Sequence, residues 1–364
     1  MNEDFFSSPL EQSKIKSQIV SKYFDAWSRI IGSESQKIRY IDLFAGRGYY
    51  EDKTESTPLL ILKKAIENLN MRGKLITEFN DKKLNHVEFL TQAVERFDGI
   101  GLLKYYPEIS NMVVSKEIIE KYDTENQIPS FFFLDPFGYK GVSLDLIKIS
   151  IKGWASECIL FFNYKRINMD LRKRFVDENI NELFGKERAD RLRSTILRMS
   201  PYQREETIIQ EFCAALNEMG GDYTLPFCFR DRKQDRTSHY LIHASKHHLG
   251  YGLMKEIMDG YSIKDDDGVP TFTFDPKGQL TLNFNQSLKQ LAEQLLQHFK
   301  GKTIKVKDIY EQHQGKTRFV KRNYKDALIM LEKKDRIKVD VPINERRIIK
   351  GKITLGDDRI VEFC

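Results

Sequence analysis

Cysteine is scarce in this chain. Its four cysteines, Cys158, Cys213, Cys228 and Cys364, are scattered and form no CxxC pair. That excludes a disulfide framework and a cysteine-based zinc site, and it fits a reducing cytoplasm. Long apolar runs are missing too. Phe131–Leu134 and Ile159–Phe162 are far too short to cross a bilayer. The N-terminus lacks the charged-then-apolar layout of a secretion signal. Three catalytic signatures are absent as well: the GxSxG elbow of hydrolases, the Walker A loop and the GxGxxG dinucleotide fingerprint.

Charge is present but uneven. Of the net +6, the segment from Gln286 to Cys364 holds 19 Lys and Arg against 11 Asp and Glu, so the preceding residues sum to −2. A basic tail on a near-neutral body points to a polyanion partner. A well-solvated lysine-rich surface would give the same counts.

Hydrophobic spacing divides the chain. Apolar residues from Ile19 to Ile31 recur at helical intervals, with Gly32 as the stop. The spacing then predicts strands at Ile38–Phe44, Lys74–Phe79, Asn111–Val114, Phe131–Leu134 and Glu157–Asn163. Helices intervene, including one with Pro58 near its first turn, Leu84–Phe97 and Leu144–Ile151. Alternation of this kind argues for an α/β fold with a doubly wound, mostly parallel sheet. Residues 170–219 carry helical spacing alone and read as an insertion. Tyr223–Phe229 and Ser238–Ala244 flank a charged turn and suit an antiparallel hairpin, followed by a helix at Leu249–Met258. The expected organisation is a Rossmann-like domain over 1–260, a linker over 261–285 and a small basic domain over 286–364. In the last, helices at Leu288–Phe299, Val306–Gln312 and Arg318–Leu331 precede strands at Arg336–Val341 and Arg347–Leu355. That order resembles a winged helix-turn-helix.

The sharpest local signal is Asp42-Leu43-Phe44-Ala45-Gly46-Arg47-Gly48, directly after the first strand. Glycines let backbone approach a ligand without a Cβ clash, and ligands of open α/β sheets bind at the carboxyl ends of strands. With Gly46 and Gly48 alone, and Tyr49 and Tyr50 following, the loop is no pyrophosphate cradle. It looks like motif I of nucleic-acid methyltransferases, whose cofactor S-adenosylmethionine (SAM) carries no phosphate. Asp42, Phe44, Ala45, Gly46 and Gly48 are then candidate cofactor residues. Glu78, near the end of the second strand, would accept the ribose hydroxyls. Ser115 would border the adenine.

Asp135-Pro136-Phe137-Gly138 closes the central strand and resembles the [Asp/Asn/Ser]-Pro-Pro-[Tyr/Phe] motif of amino-methyltransferases. An acceptor such as Asp135 beside an exocyclic amine makes its nitrogen more nucleophilic. Pro136 fixes the turn, and Phe137 or Tyr139 would stack an extruded base. Asn163 would orient the acceptor, with Lys165 and Arg166 on phosphate. The histidines His239, His243, His247 and His248 have no zinc spacing, and no metal is expected. In the tail, Lys316, Arg318, Lys321, Arg322 and Lys325 lie on or before the expected recognition helix, with Arg346 and Arg347 on the wing.

Together, Lys22–Ile31, Tyr40–Tyr50, Phe131–Val142, Ile159–Arg166 and His239–Met254 resemble the three-Cys-motif partner (TcmP) family over most of Ser17–Gly260. Arg47 stands where that family usually has proline, and Ser56-Thr57-Pro58 where Gly-Ser-Pro is usual. The resemblance implies a class I methyltransferase-like Rossmann fold and a separate cysteine-rich partner protein. It also implies a SAM site lined by Asp42, Gly46 and Gly48, with Asp135 at the catalytic position. The expected function is SAM-dependent methylation of a nucleic-acid base, DNA or RNA, at an exocyclic amine. Two alternatives stand beside it: a non-catalytic scaffold working with the cysteine-rich partner, and a methyltransferase of small molecules or proteins.

Overall fold

The computed structural model describes residues 11–124, 127–173, 177–231, 236–276, 287–315, 317–349 and 351–363. The expected linker residues 277–285, together with Gln286, Lys316 and Cys364, lie outside them. The chain forms two compact units, Met1–Gly250 and Tyr251–Cys364.

The first unit opens with α1 (Glu11–Glu34), which buries Ile19, Val20, Tyr23, Phe24 and Trp27 along one face. Then follow β1 (Ile38–Asp42), α2 (Thr57–Glu67), the single turn α3 (Leu69–Arg72), β2 (Leu75–Asn80) and α4 (Leu84–Glu95). Next come β3 (Glu108–Ser110), α5 (Lys116–Thr124), β4 (Ser130–Leu134), α6 (Leu144–Lys152) and β5 (Glu157–Phe162). The insertion is helical as expected: α7 (Tyr164–Leu171), α8 (Glu178–Phe184), α9 (Lys186–Thr195) and α10 (Pro201–Glu218). The antiparallel pair β6 (Tyr223–Arg230) and β7 (Thr237–Ser245) follows, and then α11 (His248–Asp259), which runs on into the second unit.

The strand order is β3-β2-β1-β4-β5-β7-β6. The first five strands are parallel, and β7 enters antiparallel to β5. β1 and β4 are buried along their whole length, as a strand covered on both faces must be. Phe131 of β4 packs against Tyr23, Phe24 and Trp27 of α1 and Tyr40 of β1, with ring centroids 5.6–5.8 Å away. That aromatic cluster fixes α1 on the sheet. The N-terminal end of α1 reaches the far side, where Gln12 bonds to Arg230 and Ser238.

Two sequence expectations need correcting here. The third strand is Glu108–Ser110, not Asn111–Val114. Met112 and Val113 are 45% and 70% exposed, so their apolar character marks a loop at the sheet's edge. In the tail, Arg347–Leu355 is not one strand. Gly351 turns it with φ +75°, giving a small hairpin of Ile348–Ile349 against Lys352–Ile353. The sheet of that unit instead has three strands, with Ile360–Phe363 between Ile337–Val339 and Thr303–Lys305.

The second unit packs α12 (Leu288–His298), α13 (Val306–His313) and α14 (Lys321–Glu332) around Leu291, Leu295, Ile309, Tyr324 and Leu328. Val269 joins that core. Lys255 of α11 is fully buried within the unit. Its amine donates to the carbonyls of Gln314 (3.1 Å), Thr317 (3.4 Å) and Phe319 (3.0 Å) in the turn between α13 and α14. The rings of Tyr251 and Tyr310 lie 4.9 and 5.4 Å away. Burial pushes this amine down to about 7, with Glu256 opposing. Among the described residues, no helix is long and apolar enough to cross a membrane.

Candidate active site

The register of the parallel strands decides which residues meet. Asp42 lies level with Phe133, and Leu134 with Leu160. One step further, Asp135 leaves β4 at the same edge as Phe161. The antiparallel entry of β7 brings His239 beside them, its ring stacked on Phe161 at 4.6 Å and 7°. This is the carboxyl edge of the sheet, where α/β folds bind ligands.

The turn after β1 is built for close approach. Gly46 and Gly48 hold φ of +74° and +87°. A Cβ on Gly48 would stand 3.1 Å from both Ala93 and Leu90 of α4, so glycine is required on two counts. Phe44 Nα–H donates to Asp42 Oδ1 (3.0 Å), and Ala45 Nα–H donates to the Asn80 carbonyl (2.9 Å). The helix α2 starts only at Thr57, nine residues past Gly48, so the turn does not run straight into a helix as a phosphate cradle does. Asp42 is buried. Desolvation lifts its carboxyl well above the usual range, against the Phe44 N–H and with the help of the Asp135 charge.

Asp81 was not singled out in the sequence, yet it closes this turn. Its Oδ2 accepts from Gly46 Nα–H (3.1 Å), and His86 Nδ1 lies at the same distance. Burial works upward on its carboxyl, but His86 and the N–H donors outweigh it and hold the group below its usual range. Glu78 is not at the strand end, which is Asn80. Its carboxylate is committed to Arg39 (3.1 Å), Lys121 (2.8 Å) and the Tyr122 hydroxyl (2.9 Å). It does line a cavity of about 360 Å³, together with Leu43, Asn80, Met112, Lys121 and Tyr122. Ser115 lies five residues beyond β3, at the start of α5, where its hydroxyl bonds to Glu117.

At the other end of the site stands a residue that sequence reading missed. Lys16 of α1 forms an ion pair with Asp135. Its side chain is 9% exposed, and its ammonium lies 4.7 Å from the Phe161 ring and 6.0 Å from the Phe133 ring. Burial works against the charge, but Asp135, Tyr50 and Asp42 more than compensate, and the amine stays protonated. Its partner lies 119 positions away, so no local pattern announces it. His239 is the reverse case. Desolvation drops its imidazole to about 4, and Nδ1 is buried without a hydrogen-bond partner.

The remaining candidates separate. Pro136 is buried and Phe137 is 79% exposed at the mouth of the site. Tyr139 cannot stack a base. It is 3% exposed, and its hydroxyl, with one proton to give, lies between the carboxylates of Asp170 (2.7 Å) and Asp177 (3.0 Å), inside the helical insertion. Asn163 caps α7, its Oδ1 accepting from Arg166 Nα–H (3.0 Å), which explains its place at a strand end. Lys165 and Arg166 are exposed on the first turn of α7, with Arg166 reaching Asp170 at 4.0 Å.

His239, His243, His247 and His248 do not converge on one point. His243 is buried against Glu157 (2.9 Å), and His247 and His248 stack on each other at 4.5 Å. Among the described residues, no three His, Cys, Asp or Glu side chains converge to hold a metal.

The tail cations have partners of their own. Arg322 forms a two-pronged pair with Asp259 (2.6 and 2.8 Å). Lys321 is bonded to Asp357, and Arg318 donates to the Thr271 carbonyl (3.3 Å). Arg346 is buried against Glu332 (2.6 Å). Each of these cations has a partner within its own unit, an acidic side chain for Lys321, Arg322 and Arg346 and a carbonyl for Arg318. Lys316 lies outside the described residues, and Arg347 is exposed.

A family model described as the GMT-like wHTH domain matches residues 262–343, and the C-terminal unit is a winged helix-turn-helix. No curated protein matches the sequence. Solved structures similar to the chain include a SAM-dependent methyltransferase from Agrobacterium tumefaciens (9% identity, TM-score 0.35). That match takes in 63% of this chain and 62% of the other, so it stops short of two thirds of the Agrobacterium protein. The methyltransferase domain of bacterial-CtHen1-C matches at 10% identity and TM-score 0.34, over 64% of this chain and 98% of that one. DszA carbon methyltransferase matches at 12% and 0.39, over 66% and 56%.

Proposed function

We propose that the first unit is a SAM-dependent methyltransferase acting on nucleic acid in the cytoplasm. One observation carries the reading: the glycine turn Asp42–Gly48 leaves the carboxyl end of β1 at the same edge of the sheet where Asp135 leaves the neighbouring β4. A cofactor site and an acceptor site then share one edge of the sheet. The residues present suit SAM. The turn offers backbone without a phosphate cradle, and the cavity of about 360 Å³ beside it falls within the size range of small-molecule sites.

In this reading Asp42, Phe44, Ala45, Gly46 and Gly48 hold the cofactor beside the turn. The cavity residues, Glu78 among them, surround its adenosine part, with Ser115 at the rim. SAM supplies an electrophilic methyl group on a sulfonium. The chain's own part is to position the acceptor and take its proton. Asp135 is the proton acceptor, Pro136 sets the turn, and exposed Phe137 offers a ring to a base. Lys165 and Arg166 supply positive charge for phosphate. An exocyclic amine of a base, expected from the Asp-Pro-Phe motif, asks for a carboxylate open to the NH2 group. The Lys16 pair bears directly on that point.

A second reading is favoured by the tail. Lys321 and Arg322 are already paired with Asp357 and Asp259, which suits a winged helix that meets a protein, such as the cysteine-rich partner that the TcmP resemblance implies.

The test is calorimetric titration with S-adenosylhomocysteine. Binding in the micromolar range, about −8 kcal/mol, that Gly48→Ala abolishes supports the methyltransferase. No binding at millimolar ligand overturns it as an autonomous activity and leaves the scaffold.

A further inference from the structure

We propose that the acceptor atom is a hydroxyl oxygen, the ribose 2′-hydroxyl of RNA, and that Lys16 is a catalytic residue of that reaction. The inference rests on the methyltransferase reading and names its substrate class.

The ion pair of Lys16 with Asp135 is not a surface pair. The lysine side chain is 9% exposed and the aspartate 23%. Taking an ammonium out of water is costly, and a hydrophobic residue of similar volume would fill the same space more cheaply. Phe161 and Phe133 further fix the ammonium beside the end of β4. The chain therefore keeps a positive charge at the acceptor position.

The two acceptor chemistries respond to that charge in opposite ways. An amine that takes a methyl group becomes positively charged before it loses its proton, and a neighbouring ammonium opposes this at short range. A hydroxyl oxygen becomes more negative as it loses its proton, and the same ammonium stabilises it. Lys16 occupies Oδ2 of Asp135, which leaves Oδ1 as the oxygen that takes the hydroxyl proton. The neutral imidazole of His239 adds no second positive charge on this side. Within a nucleic-acid chain, the hydroxyl available at every residue is the ribose 2′-OH, which also distinguishes RNA from DNA.

The step balances. As the 2′-oxygen forms its bond to the methyl carbon, the carbon–sulfur bond breaks and sulfur keeps the electron pair, while the hydroxyl proton passes to Asp135. Lys16 holds the developing charge on oxygen throughout and remains protonated.

The experiment uses the full chain, its Lys16→Met variant and its Lys16→Arg variant. Each is first titrated with S-adenosylhomocysteine. Equal binding by all three shows that the fold and the cofactor site are intact. If wild type fails to bind, the methyltransferase reading falls and this inference with it. The loaded proteins are next titrated with a random-sequence RNA and its DNA counterpart. Wild type is expected to prefer RNA by about tenfold, the worth of one hydrogen bond to a charged group. Lys16→Met loses that preference and Lys16→Arg keeps it. Finally, RNA is incubated with methyl-labelled SAM and digested to nucleosides. The label is expected on ribose oxygen, and Lys16→Met is expected to transfer about 100-fold more slowly. Label on a base nitrogen, label in DNA, no label in RNA, or full transfer by Lys16→Met each overturn the proposal. The first of these leaves the methyltransferase reading standing.

Discussion

Replacing Lys255 by methionine should change how the stability of the C-terminal unit depends on pH. The wild-type amine sits at about 7, against an ordinary lysine value of 10.5. Its folded value is the lower of the two, so between them the unfolded chain binds the extra proton. Stability therefore rises with pH across that window and is level below it. Each pH unit is worth about 1.36 kcal/mol for one group. Moving from about pH 7 to about pH 9.5 should then add roughly 3 kcal/mol to wild type. That is an upper value, because the three carbonyls that accept from Lys255 favour the ammonium.

Lys255→Met keeps the volume and removes both the titration and the donor. The carbonyls of Gln314, Thr317 and Phe319 are left without it, at about 1–3 kcal/mol each. Scanning calorimetry of the two full-length proteins should show the gap between them widening at alkaline pH, as the wild type rises and the variant does not. Other titrating groups are common to both and cancel. If the two stability profiles stay parallel from about pH 6 to about pH 9.5, the buried amine is not the titrating group and the argument fails.

Phe131→Ala should destabilise the first unit by about 3–5 kcal/mol, read in urea unfolding, because four aromatic neighbours close on that ring. Gly48→Ala should cost about 1–3 kcal/mol from the positive φ and the Ala93 and Leu90 contacts. An unchanged melting point would refute the turn geometry. Cys158 and Cys228, whose thiols burial pushes up to about 12, should resist disulfide reagents near neutral pH, as shown by peptide mapping. Lys165→Glu with Arg166→Glu should weaken nucleic-acid binding and flatten its salt dependence by about two counterions. A salt slope equal to wild type would remove those residues from the interface.

Much of the architecture could be read from hydrophobic spacing. Strands buried on both faces, such as Phe131–Leu134, appear as continuous apolar runs, and the helical insertion appears as a stretch without strand spacing. The third strand was misplaced because an edge strand of Glu108, Ile109 and Ser110 is defined by backbone pairing to β2. Met112 and Val113, more apolar, drew the assignment past it.

Within the site, the glycine turn and Asp135 were legible as local motifs on strand ends. Lys16 and Asp81 were not, since each acquires its meaning from a partner on another element. The tail pairs are equally hidden from the sequence, since Arg322 meets Asp259 only through the fold. Tyr139, an aromatic near the motif, is drawn inward by two aspartates of the insertion.

The placement of α1 has a consequence for how the protein is made. Its helix is synthesised before its partners: Lys16 needs Asp135, and Gln12 needs Arg230 and Ser238. The contacts that lock its N-terminal end span 218 and 226 positions. During synthesis its apolar face can close on β1 and β4 once Phe131 has emerged, but its N-terminal end stays unsecured until nearly the whole first unit is made. A truncated chain ending before β7 would still hold the glycine turn and Asp135, but it would lack the strand that secures the end of α1. Premature termination would leave such a chain without a finished catalytic edge.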